Sequence, residues 1–251
     1  MREREVKQFA FLRQNSSRDY LQDFVKEAAT SLPAGALVLD AGAGDGRYKP
    51  LFSRARYESA DFCQVDKEYG EITYVCDLAS IPVEEGRYDL VLLTQVLEHI
   101  PEPQAVLAEA NRVLRDDGEI WLSAPLFYEE HEAPHDYYRY TQYGLRHLLE
   151  SAGFTVKRIA WLEGYYGTLA YQLATAARAL PLQPAQYGGV LIGLAAVALA
   201  LLLKPLFLLL SLVFYRLDRK EKHTSSGQCK NHVAVAVKEP GSSLALDGEA
   251  G

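Results

Sequence analysis

Ala36-Leu-Val-Leu-Asp40, followed at once by Ala41-Gly-Ala-Gly-Asp-Gly46, decides the fold of this chain. A short apolar run closed by an acid predicts a strand, and glycines directly after it predict a tight turn into a helix start. Glycine at such a turn lets a ligand approach the backbone and the helix N-terminus. The alternation continues downstream. Phe62-Cys-Gln-Val-Asp66 and Ile72-Thr-Tyr-Val-Cys-Asp77 are predicted strands that end in an acid, and Tyr88 to Gln95 is a near-continuously apolar strand suited to a buried parallel position. Pro103 to Arg115 predicts a helix with Val106, Leu107, Ala110, Val113 and Leu114 on one face. After the Asp117-Gly118 turn come strand Glu119–Ala124, a helix capped by Thr141, strand Phe154–Ala160, and a last strand His232–Lys238. Upstream, Ser16, Ser17 and Asp19 open a helix whose apolar face is Leu21, Phe24, Val25, Ala28 and Leu32. Strands alternating with helices imply an α/β fold with a mostly parallel sheet covered on both faces.

The 251 residues carry a net charge of −7, unevenly spread. Trp161 to Asn231 holds seven Lys/Arg against three Asp/Glu, which leaves −11 for the remainder. An acidic body argues against non-specific nucleic-acid binding, which needs clustered Lys and Arg. Three scattered cysteines, Cys63, Cys76 and Cys229, make neither a disulfide framework nor a CxxC metal site. The polar start, Met1-Arg-Glu-Arg-Glu-Val-Lys, has no signal-peptide core, so a cytoplasmic location is expected.

Four predicted strand ends carry a polar residue at the carboxyl edge: Asp40, Asp66, Asp77 and Gln95. That edge is where open α/β sheets bind ligands. A dinucleotide fingerprint would read G-x-G-x-x-G, but here Gly46 follows one place too early. The stretch instead resembles the D-x-G-x-G-x-G motif of class I S-adenosylmethionine (SAM) methyltransferases. Tyr88 to Ile100 and Glu109 to Gly118 are similar to the branch that includes ubiquinone/menaquinone-type methyltransferases. The resemblance covers residues 37–160 and implies a Rossmann-like sheet of seven strands, the last antiparallel, with SAM as cofactor. It further implies that Asp40, Ala41, Gly42 and Gly44 line the methionine portion, Asp66 takes the ribose, Asp77 and Leu78 the adenine, and Gln95 the back of the pocket.

Pro134-His-Asp-Tyr-Tyr-Arg-Tyr-Thr141 follows the fifth strand and overhangs the same edge. Methyl transfer is an in-line displacement, so an enzyme must mainly position the acceptor and remove its proton. His135 suits a base, with Asp136 orienting it and Arg139 holding an anionic group; the other reading is a lid closed by an ordinary Asp136–Arg139 pair. His131 and His135 lack a third metal ligand, so no metal is expected. His99 is expected to be structural, and Tyr165 and Tyr166 suit either an acceptor cavity or core packing.

Gly188 to Leu203 is free of charge, Lys204-Pro205 interrupts, and Leu206 to Tyr215 is apolar again before Arg216, Arg219, Lys220 and Lys222. If the seventh strand returns beside the sixth, a single membrane crossing would leave it on the wrong side. A re-entrant or interfacial helical pair, kinked at Pro205 and flanked by cations against anionic headgroups, meets that constraint; a buried cap or dimer interface is the alternative. The expected organisation is a SAM-binding core over 1–160, an apolar and basic insert over 161–231, a final core strand over 232–238 and a disordered tail over 239–251. The function expected is SAM-dependent methylation of an amphiphilic or lipid-linked acceptor at the cytoplasmic side of a membrane. An NAD-dependent oxidoreductase and a non-catalytic SAM-binding membrane adaptor are the rivals.

Overall fold

The computed structural model describes residues 16–65 and 68–240, in two compact units. The larger unit is built on one seven-stranded sheet: β1 (Leu37–Ala41), β2 (Arg56–Asp61), β3 (Tyr74–Val75), β4 (Tyr88–Thr94), β5 (Leu114–Pro125), β6 (Phe154–Trp161) and β7 (Asn231–Lys238). The strand order is β3-β2-β1-β4-β5-β7-β6. β1 through β5 pair in parallel, while β7 is antiparallel to both β5 and β6. The strand order reverses between β1 and β4, which opens a crevice at their carboxyl ends.

The core sits around β4, where Leu90, Val91, Leu92 and Leu93 are wholly buried, as a strand covered on both faces must be. Each such side chain contributes roughly 1.5–3 kcal/mol by leaving water. Helix α1 (Ser16–Ser31) buries Phe24, Val25 and Ala28, the face its spacing predicts. Helix α2 (Pro103–Val113) buries Val106, Leu107, Ala110 and Val113. In α3 (Gln142–Ser151) the Thr141 hydroxyl accepts from the Gly144 N–H at 3.1 Å, so the expected N-cap is present.

Three local expectations are corrected. The second strand is Arg56–Asp61, not Phe62–Asp66: Ala41 and Ala60 close its pairing with β1, and Asp61 opposite Val75 closes its pairing with β3. After the glycine turn there is a single 3-10 turn, Lys49–Phe52, with a proline in its first turn, where a helix was expected. Asp117-Gly118 does not separate helix from strand, because β5 begins at Leu114 and absorbs Asp117 at φ +59° beside a register shift against β4.

The second unit contains Glu163–Lys230 and the first residues of α1. It is a hairpin of α4 (Tyr165–Ala179) and α5 (Val190–Lys220), joined through a 3-10 turn at Pro184–Tyr187. The expected break at Lys204-Pro205 does not occur: α5 is one helix of 31 residues with Pro205 inside it. The second arm of the pair is α4, not the Leu206–Tyr215 segment expected. Contacts fix the arms antiparallel. Tyr166 stacks on Phe214 at 5.8 Å, and the Ser211 hydroxyl donates to the Ala170 carbonyl at 2.7 Å. Lys204 Nζ donates to the Ala177 carbonyl at 2.7 Å, at the end of α4, while the Gly164 N–H at its start donates to the buried Asp218 carboxylate at 3.4 Å. An anion at the N-terminus and a cation at the C-terminus of α4 both oppose its dipole. Lys204 was expected to interrupt the apolar run between two short helices; instead it ties the two long arms together.

Lys204→Met should cost about 1 kcal/mol at this helix end. Amide exchange in the last turn of α4 should then quicken roughly fivefold while β4 and β5 amides stay unchanged. Unaltered exchange in α4 would show that the ammonium does not hold the hairpin.

Candidate cofactor site and the loop beside it

β1 delivers Asp40 to the crevice with its side chain in the interior; the residue is 1% exposed. The Tyr57 hydroxyl donates to Asp40 Oδ2 at 2.5 Å, whereas Oδ1 has no hydrogen-bond partner among the described residues. Burial pushes the carboxyl up to about 7, against the opposing effect of the Tyr57 hydrogen bond. Ala41 is buried behind it.

The turn that follows demands glycine at two places for different reasons. Gly42 has φ +83°, and a Cβ there would lie 2.3 Å from Val96 Cγ2, so both conformation and space exclude a side chain. Gly44 has φ +55° with nothing within 4 Å of a Cβ position, so conformation rather than space calls for glycine there, and the volume where a side chain would stand is open. The Gly44 N–H donates to Asp61 Oδ2 at 2.8 Å, and the Cys63 N–H donates to Asp61 Oδ1 at 3.0 Å. Asp61 thus ties the glycine turn to the end of β2. The sequence carries little sign of this strand, because Arg56-Tyr-Glu-Ser-Ala-Asp61 is largely polar with no apolar/polar alternation, and burial rises along the strand instead of alternating.

Gln95 ends β4 in the left-handed region at φ +55°, a conformation that costs a non-glycine residue energy and is stored at functional sites. Its amide N–H donates to the Ser123 carbonyl at 2.9 Å and its side-chain Nε2 to the Ser123 hydroxyl at 3.0 Å, which fix it between β4 and β5. Leu78 is buried after β3, and Asp77 is exposed with its carboxylate accepting from the Ala79 N–H at 2.9 Å. Asp66 lies outside the described residues. The crevice therefore brings together Asp40, the glycine turn, Asp61 and Gln95.

The loop after β5 is held from within. Arg139 pairs with both oxygens of Asp136, at 2.6 and 2.8 Å, and donates to the carbonyls of Tyr128, Glu129 and Tyr138. The Arg139 guanidinium keeps the Asp136 carboxyl well below the usual carboxylate range. Asp136 also accepts from the His131 N–H at 2.8 Å. The expected partnership of Asp136 with His135 is therefore not formed, and Arg139 is committed to closing the loop. The His135 imidazole makes a 3.4 Å contact with the Tyr137 hydroxyl, and its carbonyl lies 2.6 Å from His99 Nδ1. His99 is thus structural in one of its ring nitrogens. Beside it Glu98 is fully buried, and burial pushes its carboxyl up to about 8.

A family model described as a methyltransferase domain matches residues 11–159. A malonyl-acyl-carrier-protein O-methyltransferase of Hahella chejuensis is 34% identical over 101 residues, which cover 36% of this chain and 36% of that protein. The tRNA (carboxymethyluridine(34)-5-O)-methyltransferase ALKBH8 of Macaca fascicularis is 29% identical over 111 residues, 41% of this chain and 17% of that protein. This chain thus spans about a third or less of these relatives. Among solved structures, the 1,6-didemethyltoxoflavin-N1-methyltransferase of Burkholderia thailandensis, bound to S-adenosylhomocysteine, shares the fold with a TM-score of 0.51 and 18% identity over 94% of this chain and 83% of that one. The cyclase SpnF does so with a TM-score of 0.54 and 19% identity over 88% and 80%. The family matched is a methyltransferase domain, which disfavours the oxidoreductase alternative.

Because the Asp40 carboxyl lies above its ordinary range when folded, it favours the fold at low pH and withdraws that contribution as pH rises through about 7. Asp40→Asn should remove this dependence, so that urea unfolding at pH 8.5 finds the variant more stable than the parent by on the order of 2–4 kcal/mol. Parallel pH profiles for the two proteins would show that Asp40 is ionised without penalty.

Proposed function

The chain belongs to the methyltransferase-domain family, and from that premise we propose that it methylates an amphiphilic or lipid-linked acceptor at the cytoplasm-facing surface of a membrane, with SAM as methyl donor. When bound, SAM supplies a methyl group made electrophilic by its sulfonium. The crevice fits such a ligand on two grounds. Asp40 Oδ1 is buried and unpaired among the described residues, suited to a cationic amine, and open space lies over Gly44 and Gly46. In this reading Asp40, Ala41, Gly42 and Gly44 hold the methionine portion, Asp77 and Leu78 flank the adenine, and Gln95 closes the back. The ribose hydroxyls fall to the acid that ends β2, which is Asp61 rather than the expected Asp66.

The remaining work falls on the loop. Asp136 and Arg139 hold its shape, and His135 is left to take a proton from the acceptor while the crevice keeps donor and acceptor in line. The acceptor class rests on one observation, the surface of the hairpin. Val190, Leu191, Ile192, Leu194, Leu201 and Leu202 are each more than half exposed, and no charge occurs between Arg178 and Lys204. The α5 helix alone is about 46 Å long, enough to cross a bilayer core of ~30 Å. Both ends of the insert, however, join neighbouring strands of one sheet, so the reading is a re-entrant hairpin with Arg216, Arg219, Lys220 and Lys222 toward headgroups. An RNA acceptor, suggested by the tRNA-modifying relative, is a poorer fit to a net charge of −7.

Asp61→Asn should weaken SAM binding about ten- to a hundred-fold by calorimetry, whereas Asp66→Ala should change it less than about threefold. A loss confined to Asp66→Ala would return the ribose to Asp66, and no loss in either would refute both.

Replacing residues 180–203 by a short Gly/Ser linker should leave SAM affinity intact and abolish sedimentation with anionic vesicles. A full-length chain that ignores vesicles, together with a truncation that dissociates a dimer, would make the hairpin an interface between copies.

His135→Ala should keep SAM affinity and lower turnover by ~10²–10⁴. Undiminished turnover would leave catalysis to positioning alone.

A further inference from the structure

The 3-10 turn Leu97–His99 follows β4 directly, and the loop between β5 and α3 returns over it with His131 and Glu132. One ligating atom from each of Glu98, His99 and His131 lies within 4.8 Å of the others. Glu98 is 0% exposed, and neither of its oxygens has a hydrogen-bond partner among the described residues. A buried carboxylate in that condition is costly unless it holds a proton or meets a cation.

The neighbouring rings are oriented for the second outcome. His99 Nδ1 lies 2.6 Å from the His135 carbonyl, so it carries the proton and leaves the lone pair on Nε2. That Nε2 is 3.9 Å from Glu98 Oε1 and 3.9 Å from Glu132 Oε2. His131 Nδ1 is 3.3 Å from Asp136 Oδ2, and Asp136 is in turn clamped by Arg139. Ligating histidines are held in this way, one ring nitrogen on a carbonyl or carboxylate that fixes tautomer and direction. Donors about 2.0–2.2 Å from a tetrahedral ion stand roughly 3.3–3.6 Å apart, so shifts of about an ångström would close the set.

We propose that Glu98, His99 and His131 form a binding site for a divalent transition cation of the zinc type, with Glu132 within reach as a fourth ligand. The donor set, two imidazoles and a carboxylate, suits zinc and cobalt better than magnesium or calcium, which prefer oxygen alone. The cation neutralises the buried Glu98 and pins the loop to the turn after β4. Such a site stands independently of the methyl acceptor and of SAM binding.

The full chain, stripped with a chelator, should be titrated with Co²⁺ and then with Zn²⁺ against a chromophoric competitor. One equivalent should bind, with visible cobalt bands of four- or five-coordinate geometry and no thiolate charge-transfer band. Glu98→Gln, His99→Gln and His131→Gln should each weaken binding about a hundred-fold or more, and His147→Gln, on the exposed side of α3, should leave it unchanged. Where Glu98→Gln fails to fold, His131→Gln on the loop carries the test. Absence of stoichiometric binding, affinity indifferent to His131→Gln, or a thiolate band assigning the ion to cysteine would overturn the proposal.

Discussion

The pairing of Trp161 with His232, where β6 ends and β7 begins, is the constraint on which the rest of this architecture depends. The Leu162 N–H donates to the Asn231 carbonyl at 2.9 Å, so the chain leaves the sheet and returns to it at one point. Everything from Glu163 to Lys230 is a closed excursion, and loop closure fixes its ends whatever its length. A closed excursion rich in apolar residues has few solutions. It must fold back on itself, and here it does so as two antiparallel helices held at the ends of α4 by Asp218 and Lys204. The same return places β7 between β5 and β6, covering the edge of β5 that a parallel sheet would leave open.

The rest of the molecule's chemistry follows from the reversal between β1 and β4. Every strand that runs into that crevice arrives with its carboxyl end, and the polar residues that close those strands converge. Asp40 is buried with one oxygen unmet among the described residues, Asp61 braces the glycine turn, and Gln95 holds a left-handed conformation between β4 and β5. Their strain and burial are costs to the fold, the usual mark of groups arranged for a ligand rather than for stability. The loop after β5 stands beside this crevice because the Tyr140 N–H donates to the Pro125 carbonyl and the Tyr140 hydroxyl to the Leu97 carbonyl, at 2.7 and 2.8 Å.

The parallel core was legible because its signal is local: an apolar run, an acid, then glycines in a spacing that only a tight turn accepts. β4 announced itself as an unbroken apolar strand, and Thr141 as a cap. β2 does not, since a largely polar strand near a sheet edge looks like a loop, and the strand predicted at Phe62–Asp66 begins just where β2 ends. The hairpin was half legible. Charge-free residues after Gly188 mark α5, and strand topology requires a return, but α4, although rich in Ala, has no side-chain cap at its start and opens on Tyr165-Tyr166-Gly167. Pro205 pointed to a break; Lys204, anchored on carbonyls seen only in three dimensions, holds the helix to its partner there. The loop is legible in part: of the two readings its spacing allows, the lid closed by an Asp136–Arg139 pair forms and the His135–Asp136 partnership does not. Asp136 neighbours His135 in sequence yet serves His131 and Arg139 in space.

In the proposed function, one chain joins a SAM-dependent crevice to a membrane-seeking hairpin so that the methyl group reaches an amphiphile. The most direct measurement incubates the full chain with methyl-labelled SAM and an unfractionated native cell extract, then separates organic from aqueous phases. Label is predicted in the organic, lipid-soluble fraction, and it should be lost when the hairpin tip is removed although SAM still binds. Label confined to water-soluble small molecules, protein or RNA, and indifferent to the hairpin, would contradict that function.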